Sequence, residues 1–158
     1  MSTRCRVLLI IPCFFLAASC YAQELKPALN FSTAQKIIQG CLAFADSARL
    51  NMAIAVYDAH AQLVAFAKMD GSSVATAKVA QWKGLSAASY QFSTEQTAKW
   101  NVPTAPDISV ATGGLPFFTK DGAILGGVGV SGSAASVDAR CAEAGIRYAG
   151  MTSTIKKD

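Results

Sequence analysis

The sequence has 158 residues, of which 52% are hydrophobic and 15% charged, and its formal net charge is +4. This length suits one domain, and the apolar content is enough for a hydrophobic core, so an intrinsically disordered chain is excluded. The basic residues are scattered, and Lys156 and Lys157 form the only adjacent pair. Because a phosphate backbone is bound by a basic stripe or patch, this pattern argues against a nucleic-acid-binding protein.

The first 22 residues have the features of an export signal. Arg4 and Arg6 precede an apolar run from Val7 to Ala18, and small residues then lead to Ala22. This order of charge, apolar run and small residues is typical of a signal peptide. The apolar run is shorter than the roughly 20 residues that a membrane-spanning helix needs.

We therefore predict a signal peptide over residues 1–22 and a single domain over residues 23–158, in a periplasmic or secreted protein. No transmembrane span is expected in the mature chain. Two alternatives remain open, a cytosolic protein with an apolar N-terminus and a lipoprotein modified at Cys20. The segment before Cys20 resembles a lipobox, but its leucine, Leu16, lies one place too far from the cysteine.

The remaining chain alternates between helical and strand patterns. Apolar spacing, caps and turn residues predict the elements. In chain order they are a helix from Ser32 to Arg49, strands over 52–57 and 62–69, a helix over 74–91, a short helix from Ser93 to Trp100, strands over 115–119 and 123–130, and a helix that is capped by Ser133 or Ser136 and ends near Tyr148. Residues 101–114, with two prolines and two glycines, are expected to form an irregular loop.

Two hairpins imply an antiparallel sheet, and helices of these lengths must cover its faces. The order predicts an α/β fold with about four or five strands flanked by helices, and it excludes a doubly wound nucleotide-binding fold. Cys41 and Cys141 fall in the first and last of the long helices. An exported protein permits a disulfide between them, while two separately buried cysteines are the alternative.

No group of residues in the sequence forms an evident catalytic set. His60 is the single histidine, and it falls in a predicted hairpin turn, where a surface position is expected. Ser131 therefore has no histidine base beside it, which argues against a serine hydrolase. The glycines over 126–129 lie inside a strand pattern, where they indicate close approach by another backbone rather than a phosphate-binding loop.

Several motifs, in matching order, resemble the GlcG/HbpS-type haem-binding domain. They are Val56-Tyr57-Asp58, Leu63-Val64-Ala65-Phe66, Met69-Asp70-Gly71, Gly113-Gly114-Leu115-Pro116, Asp121-Gly122, the run from Gly126 to Gly132, Asp138, and Ala144-Gly145. The resemblance covers roughly residues 28–150. It implies a profilin-like sheet flanked by helices, a homo-oligomer and, for some members, haem binding or haem degradation. The same domain type forms the C-terminus of PduO-type corrinoid adenosyltransferases.

The family-like residues without an evident core role lie at element ends, where binding groups are usually displayed. We predict that they form the ligand site, namely Met69, Asp70, Gly71, Lys83, Thr112, Gly113 and Gly114. Lys83 and glycine N–H groups would meet the carboxylates of a flat ligand, while a solvated lysine or a pair with Asp70 is the alternative. The resemblance supplies no axial iron ligand; Met69 and Tyr57 are candidates, with core packing as their alternative.

The expected function is an exported binding protein for a small molecule, with haem or a similar flat, anionic ligand as the favoured cofactor. Haem degradation by an enzyme and a ligand-free accessory role in an oligomer are the alternatives.

The position of signal-peptide cleavage is the first testable prediction. Cleavage after Ala22 should give a mature chain that begins Gln23-Glu24, and the intact mass of the exported protein checks it. A chain that retains residues 1–22, or one that begins with a lipid-modified Cys20, would contradict the prediction.

Overall fold

Helices and strands follow one another in the predicted order. The computed structural model describes residues 25–155, so the predicted leader and Cys20 lie outside the described residues. The elements are α1 (Phe31–Ala48), β1 (Ala53–Asp58), β2 (Leu63–Lys68), α2 (Val74–Tyr90), α3 (Thr94–Lys99), β3 (Gly114–Phe118), β4 (Ile124–Ser131) and α4 (Ala135–Tyr148). The strands form one antiparallel sheet in the order β2-β1-β4-β3. The predicted α/β fold is confirmed, with four strands.

The sheet lies between two helical layers. α1 and α4 pack against each other and on one face, and α2 covers the other face by contacting β1, β3 and β4. Because side chains alternate along a strand, Ile54 and Val56 enter the main core beneath α1 and α4, whereas Ala55 and Tyr57 face α2. The main core therefore holds most of the large apolar side chains, whereas α2 buries mainly alanine, glycine and serine against the sheet, with Tyr57 as a large side chain on that side.

Helix α2 approaches the sheet closely enough to exclude side chains. A Cβ atom on Gly127 or Gly129 of β4 would clash with the backbone of α2, and one on Gly84 of α2 would crowd the backbone of β1 and β4. The interpretation of the β4 glycines as a site of close backbone approach is therefore confirmed. A phosphate-binding loop is not formed, because these glycines lie within the paired strand.

Two predicted helix caps are wrong. Helix α1 is capped by Asn30, whose side chain accepts a hydrogen bond from the Thr33 N–H at 2.8 Å, and Ser32 already lies inside the first turn. Helix α4 begins after Ala134, with no side-chain cap. Instead, the carboxylate of Asp138 reaches back from the first turn and accepts from the Ser133 N–H at 3.0 Å. A residue of the helix itself thus replaces the predicted cap by Ser133 or Ser136.

A disulfide joins the two helices on the core side of the sheet. Cys41 of α1 and Cys141 of α4 are fully buried and bonded, with their Cα atoms 4.9 Å apart. This separation lies within the range of protein disulfides. The bridge closes a loop with a sequence separation of 100 residues, so it ties the start of the domain to its end.

The bridge should contribute strongly to stability. For a loop of this length the chain-entropy model gives about 4–5 kcal/mol, although measured gains are often smaller. We expect Cys41→Ala/Cys141→Ala to lower the free energy of unfolding by about 2–4 kcal/mol in denaturant titrations. Thiol labelling of the native, non-reduced protein should modify neither cysteine; two labelled thiols would contradict the bridge.

Candidate functional site

The predicted site residues all lie at one end of the sheet, but at its two opposite edges. Met69, Asp70 and Gly71 follow β2, while Gly113 and Gly114 lead into β3. β2 and β3 are the outer strands, so three strand spacings of about 4.8 Å separate the two groups. The structure therefore brings Lys83, Thr112 and the two β3 glycines into one region and leaves the other three residues apart from them.

The residues after β2 close the end of the β1–β2 hairpin. The Met69 N–H donates to the Met52 carbonyl at 2.9 Å, and the Met69 sulfur accepts from the Met52 N–H at 3.4 Å. Gly71 has a φ of +83° and packs against the side chain of Asn51. Met69 also packs against the main core, whereas Asp70 is exposed. A structural role in the hairpin therefore accounts for Met69 and Gly71, and ligand binding there stays a prediction.

Lys83 is buried in an ion pair, so both alternatives to ligand binding, a solvated lysine and a pair with Asp70, are wrong, while ligand binding by Lys83 stays a prediction. Its Nζ lies 2.7 Å from Oδ2 of Asp138 and donates to the Val130 carbonyl at 3.0 Å. The two residues are 3% and 2% exposed. Burial raises the pKa of the Asp138 carboxyl above its ordinary value, although Lys83 and the Ser133 N–H act in the opposite direction. The pair links α2 to α4 past the ends of β3 and β4.

The two β3 glycines are required by this packing. Gly113 has a φ of +126°, and a Cβ there would meet the side chains of Lys83 and Asp138. A Cβ on Gly114 would clash with the Lys83 carbonyl and the Thr94 side chain. Glycine is therefore needed because protein groups occupy the space, and a ligand is not needed to explain it.

The loop before β3 is fixed by hydrogen bonds from α2 and α3. The Trp82 indole N–H donates to the Ile108 carbonyl at 2.9 Å, and the Ser86 hydroxyl accepts from the Ser109 N–H at the same distance. The buried Thr97 hydroxyl donates to the Ser109 carbonyl at 2.7 Å. The irregular loop is thus held in place, which positions Thr112 and the start of β3.

A cleft of about 500 Å³ follows the outer edge of β3 between α3 on one side and α4 with the C-terminal segment on the other. Its volume is in the range of small-molecule sites. Thr112 and Gly114 are the predicted site residues that line it. The apolar lining is Phe92, Leu115, Pro116, Phe118 and Ile155, and the polar side chains are Gln91, Ser93, Glu95, Gln96, Thr112, Ser153 and Thr154. Ala139 of α4 completes the lining. Sequence reasoning missed most of these residues, because they come from four separate segments of the chain.

The backbone at the edge of β3 is closed to strand addition. Gly114 donates its N–H to the Thr94 hydroxyl at 2.9 Å, and Phe118 exchanges two hydrogen bonds with Thr152 of the C-terminal segment. Between them Pro116 has no N–H to donate. A peptide that binds as an added strand needs free donors and acceptors along the edge. The cleft therefore suits a small molecule held by side chains better than an extended peptide.

His60 lies in the turn between β1 and β2, as predicted. The Asp58 carboxylate organises this turn by accepting from the N–H groups of His60 and Gln62, each at 2.9 Å. His60 is exposed there, and strand β4 lies between this hairpin and β3. Within residues 25–155 no three His, Cys, Asp or Glu side chains cluster as a metal site would require. No described helix is long and apolar enough to cross a membrane.

The contribution of the buried ion pair to stability can be tested against an exposed ion pair of the same chain. Lys83→Met leaves the Asp138 carboxylate buried without its cation, so we expect a loss of about 3–5 kcal/mol in the free energy of unfolding. The control is Lys99→Met, which removes the exposed pair with Glu95 at 3.2 Å and should cost about 0.5 kcal/mol or less. Denaturant titrations of both variants measure the difference; equal costs would contradict the importance of the pair.

The same variant should have an altered pH dependence. Without Lys83, desolvation holds the pKa of Asp138 in the folded state above its value in the unfolded state. As the pH falls, the folded protein therefore binds this proton at a higher pH than the unfolded chain does. Lowering the pH towards the unfolded pKa should therefore restore part of the stability lost in Lys83→Met. The stability difference between variant and wild type should shrink from pH 7 to pH 5.

Known proteins share both the sequence family and the fold. The family model described as haem degrading protein HbpS-like matches residues 29–147. Three solved structures are similar. PduOC in complex with heme has a TM-score of 0.74 at 18% identity and covers 80% of this chain and 99% of its own. ORFY of Klebsiella pneumoniae has a TM-score of 0.73 at 20% identity, and the match covers 81% of this chain and 94% of ORFY. HbpS has a TM-score of 0.72 at 24% identity, and the match covers 79% of this chain and 92% of HbpS.

No curated protein sequence matches this chain. The solved structures establish the fold, and the family match spans all eight elements to within one residue of the end of α4. The resemblance that the sequence motifs indicated is thereby confirmed, and the chain belongs to the HbpS-like family of haem-degrading proteins.

Proposed function

We propose that this protein is an exported binding protein for haem or a similar flat, anionic molecule, and that the cleft along β3 is its site. The observation that carries the proposal is this cleft, of suitable volume, in a member of a family described as haem degrading. The structurally similar PduOC is described as a heme complex, which adds support.

The lining of the cleft fits the organic part of haem better than its iron. Phe92, Leu115 and Ile155 offer apolar surface to a flat ring, and hydroxyl and amide side chains offer hydrogen bonds. Among the described residues that line the cleft, Glu95 is the one charged side chain, so the carboxylates of an anionic ligand must point away from it. Haem iron is held by histidine, cysteine, methionine or tyrosine. None of these residue types lines the described cleft. The residues therefore fit a porphyrin-like ring, and they do not fit an iron-coordinating role.

Export is supported by two features of the chain. The N-terminal segment has the charge and apolar pattern of a leader. Cys41 and Cys141 are bridged, and structural disulfides form and persist mainly in oxidising compartments.

The ligand proposal is tested by hemin titration of two variants. Phe92→Ala removes an aromatic side chain from the cleft wall, so we expect about tenfold weaker binding, which corresponds to about 1.4 kcal/mol. His60→Ala is the control and should bind within about twofold of wild type, because the β1–β2 turn lies away from the cleft.

Soret absorption and tryptophan fluorescence report the binding. The Trp100 ring lies 5.2 Å from that of Phe92, so a ligand in the cleft should quench it. Circular dichroism checks that both variants are folded. If His60→Ala abolished binding and Phe92→Ala did not weaken it, the site would lie at the β1–β2 turn and the proposal for the cleft would be wrong.

The family description favours haem breakdown as a second candidate function. In that case bound haem itself supplies the oxygen chemistry, and the protein binds and orients the ring. Faster loss of Soret absorption from bound than from free hemin, with reductant or peroxide, distinguishes an enzyme from a binding protein.

The proposed oligomer has a candidate surface at the other edge of the sheet. β2 leaves Leu63 and Phe66 exposed, and an apolar groove of about 430 Å³ lies beside it against Phe31 and Ile38 of α1. Lys68 is the only charged residue in β2. Exposed apolar edge strands are usually covered or paired. We propose a second copy of this chain as the partner, since antiparallel pairing of two β2 strands gives a closed dimer.

The oligomer proposal is tested by light scattering at micromolar concentration. Phe66→Glu should shift the protein to monomer, because a charge in the paired edge would be buried. Val74→Glu, an equally large change at a 71% exposed position on α2, should leave the oligomer intact. A monomeric wild type would contradict the proposal.

A further inference from the structure

We propose that ligand recognition by this protein does not depend on a metal, so that a metal-free porphyrin occupies the cleft as tightly as hemin. This inference rests on the proposed function and specifies its ligand class. The flat ring and its carboxylates are what the protein recognises, and the metal at the ring centre contributes little to affinity.

The sulfur atoms among residues 25–155 are bonded or hydrogen-bonded to other protein groups, or they lie outside the cleft. Cys41 and Cys141 are bonded to each other in the core. Met52 is fully buried, and the Met69 sulfur accepts a hydrogen bond from its N–H. Met151 packs against the main core and does not line the cleft.

The nitrogen and phenol donors are likewise engaged or distant. The Lys83 ammonium group forms a buried ion pair with Asp138, and Tyr57 is buried beneath α2. Tyr90 donates its hydroxyl hydrogen to the Pro106 carbonyl. His60 lies in the β1–β2 turn, and strand β4 separates this hairpin from β3. Tyr148 is 62% exposed at the end of α4, but its side chain packs against Gly40 of α1 and does not line the cleft. None of these groups lines the cleft, so none meets a ring bound there without moving.

The cleft nevertheless provides contacts for the rest of such a molecule. Phe92 is 45% exposed and Leu115 half-buried, so their apolar surface is available to a ring face. A second cleft of about 470 Å³ shares Thr154 and Ile155 with the first and is lined by Lys120 and Asp121. A carboxylate extending from the ring in this direction would meet the Lys120 cation and the hydroxyls of Thr119 and Thr152, with the Asp121 carboxylate beside them. Affinity would therefore come from the ring faces and the acidic substituents.

The experiment compares hemin with metal-free protoporphyrin IX on the full exported protein. Quenching of tryptophan fluorescence should give dissociation constants within about threefold of each other. Phe92→Ala should weaken both by the same factor, and His60→Ala should change neither. Imidazole should bind to the iron of protein-bound hemin, as expected for an iron without a ligand from the protein.

Two outcomes overturn the inference, and they are distinguishable. Hemin bound more than tenfold tighter than metal-free porphyrin, a difference of about 1.4 kcal/mol, means that the chain or a second copy supplies an iron ligand; the proposed function then survives and the inference fails. If neither compound binds, the proposed function fails and the inference falls with it.

Discussion

The buried pair between Lys83 and Asp138 is the interaction on which the geometry of this end of the sheet depends. A lysine with 3% exposure and a carboxylate with 2% are unfavourable unless each has a close partner, and here they are 2.7 Å apart. Their remaining hydrogen bonds go to the Val130 carbonyl and the Ser133 N–H. The pair therefore fixes α2, α4 and the end of β4 relative to one another.

The ion pair and the close approach of α2 to the sheet together determine where the chain tolerates side chains. Lys83 and Asp138 occupy the space around Gly113, and α2 lies so close to the sheet that Gly127 and Gly129 cannot carry a Cβ. The α2 layer is built of alanine, serine and glycine, while the opposite face holds isoleucine, valine and a disulfide. Close packing on one side and large side chains on the other leave the usable concave surface at the edge of β3.

The two edge strands of the sheet differ in how far their outer backbone groups are hydrogen-bonded. At the outer edge of β3, Gly114 donates its N–H to Thr94, Phe118 is paired with Thr152, and Pro116 has no N–H, so the edge has no free donor at these positions. β2 keeps an open backbone edge beside apolar residues. These differences underlie the proposals of a small-molecule site at β3 and of self-association at β2, since an open edge can pair and a closed edge cannot.

The sequence alone determined the order of the elements, the antiparallel sheet and the family, because hydrophobic periodicity, turn residues and glycine motifs are local signals. It also placed His60 in a turn and explained the glycines of β4. It could not pair Lys83 with Asp138, which are 55 positions apart, and it assigned Gly113 and Gly114 to a ligand when protein groups crowd them. Nor could it predict the cleft, whose lining comes from α3 and the residues before it, from Thr112 and β3, from α4 and from the C-terminal segment. Only the tertiary structure decided these features, because contacts between distant segments depend on how the layers pack.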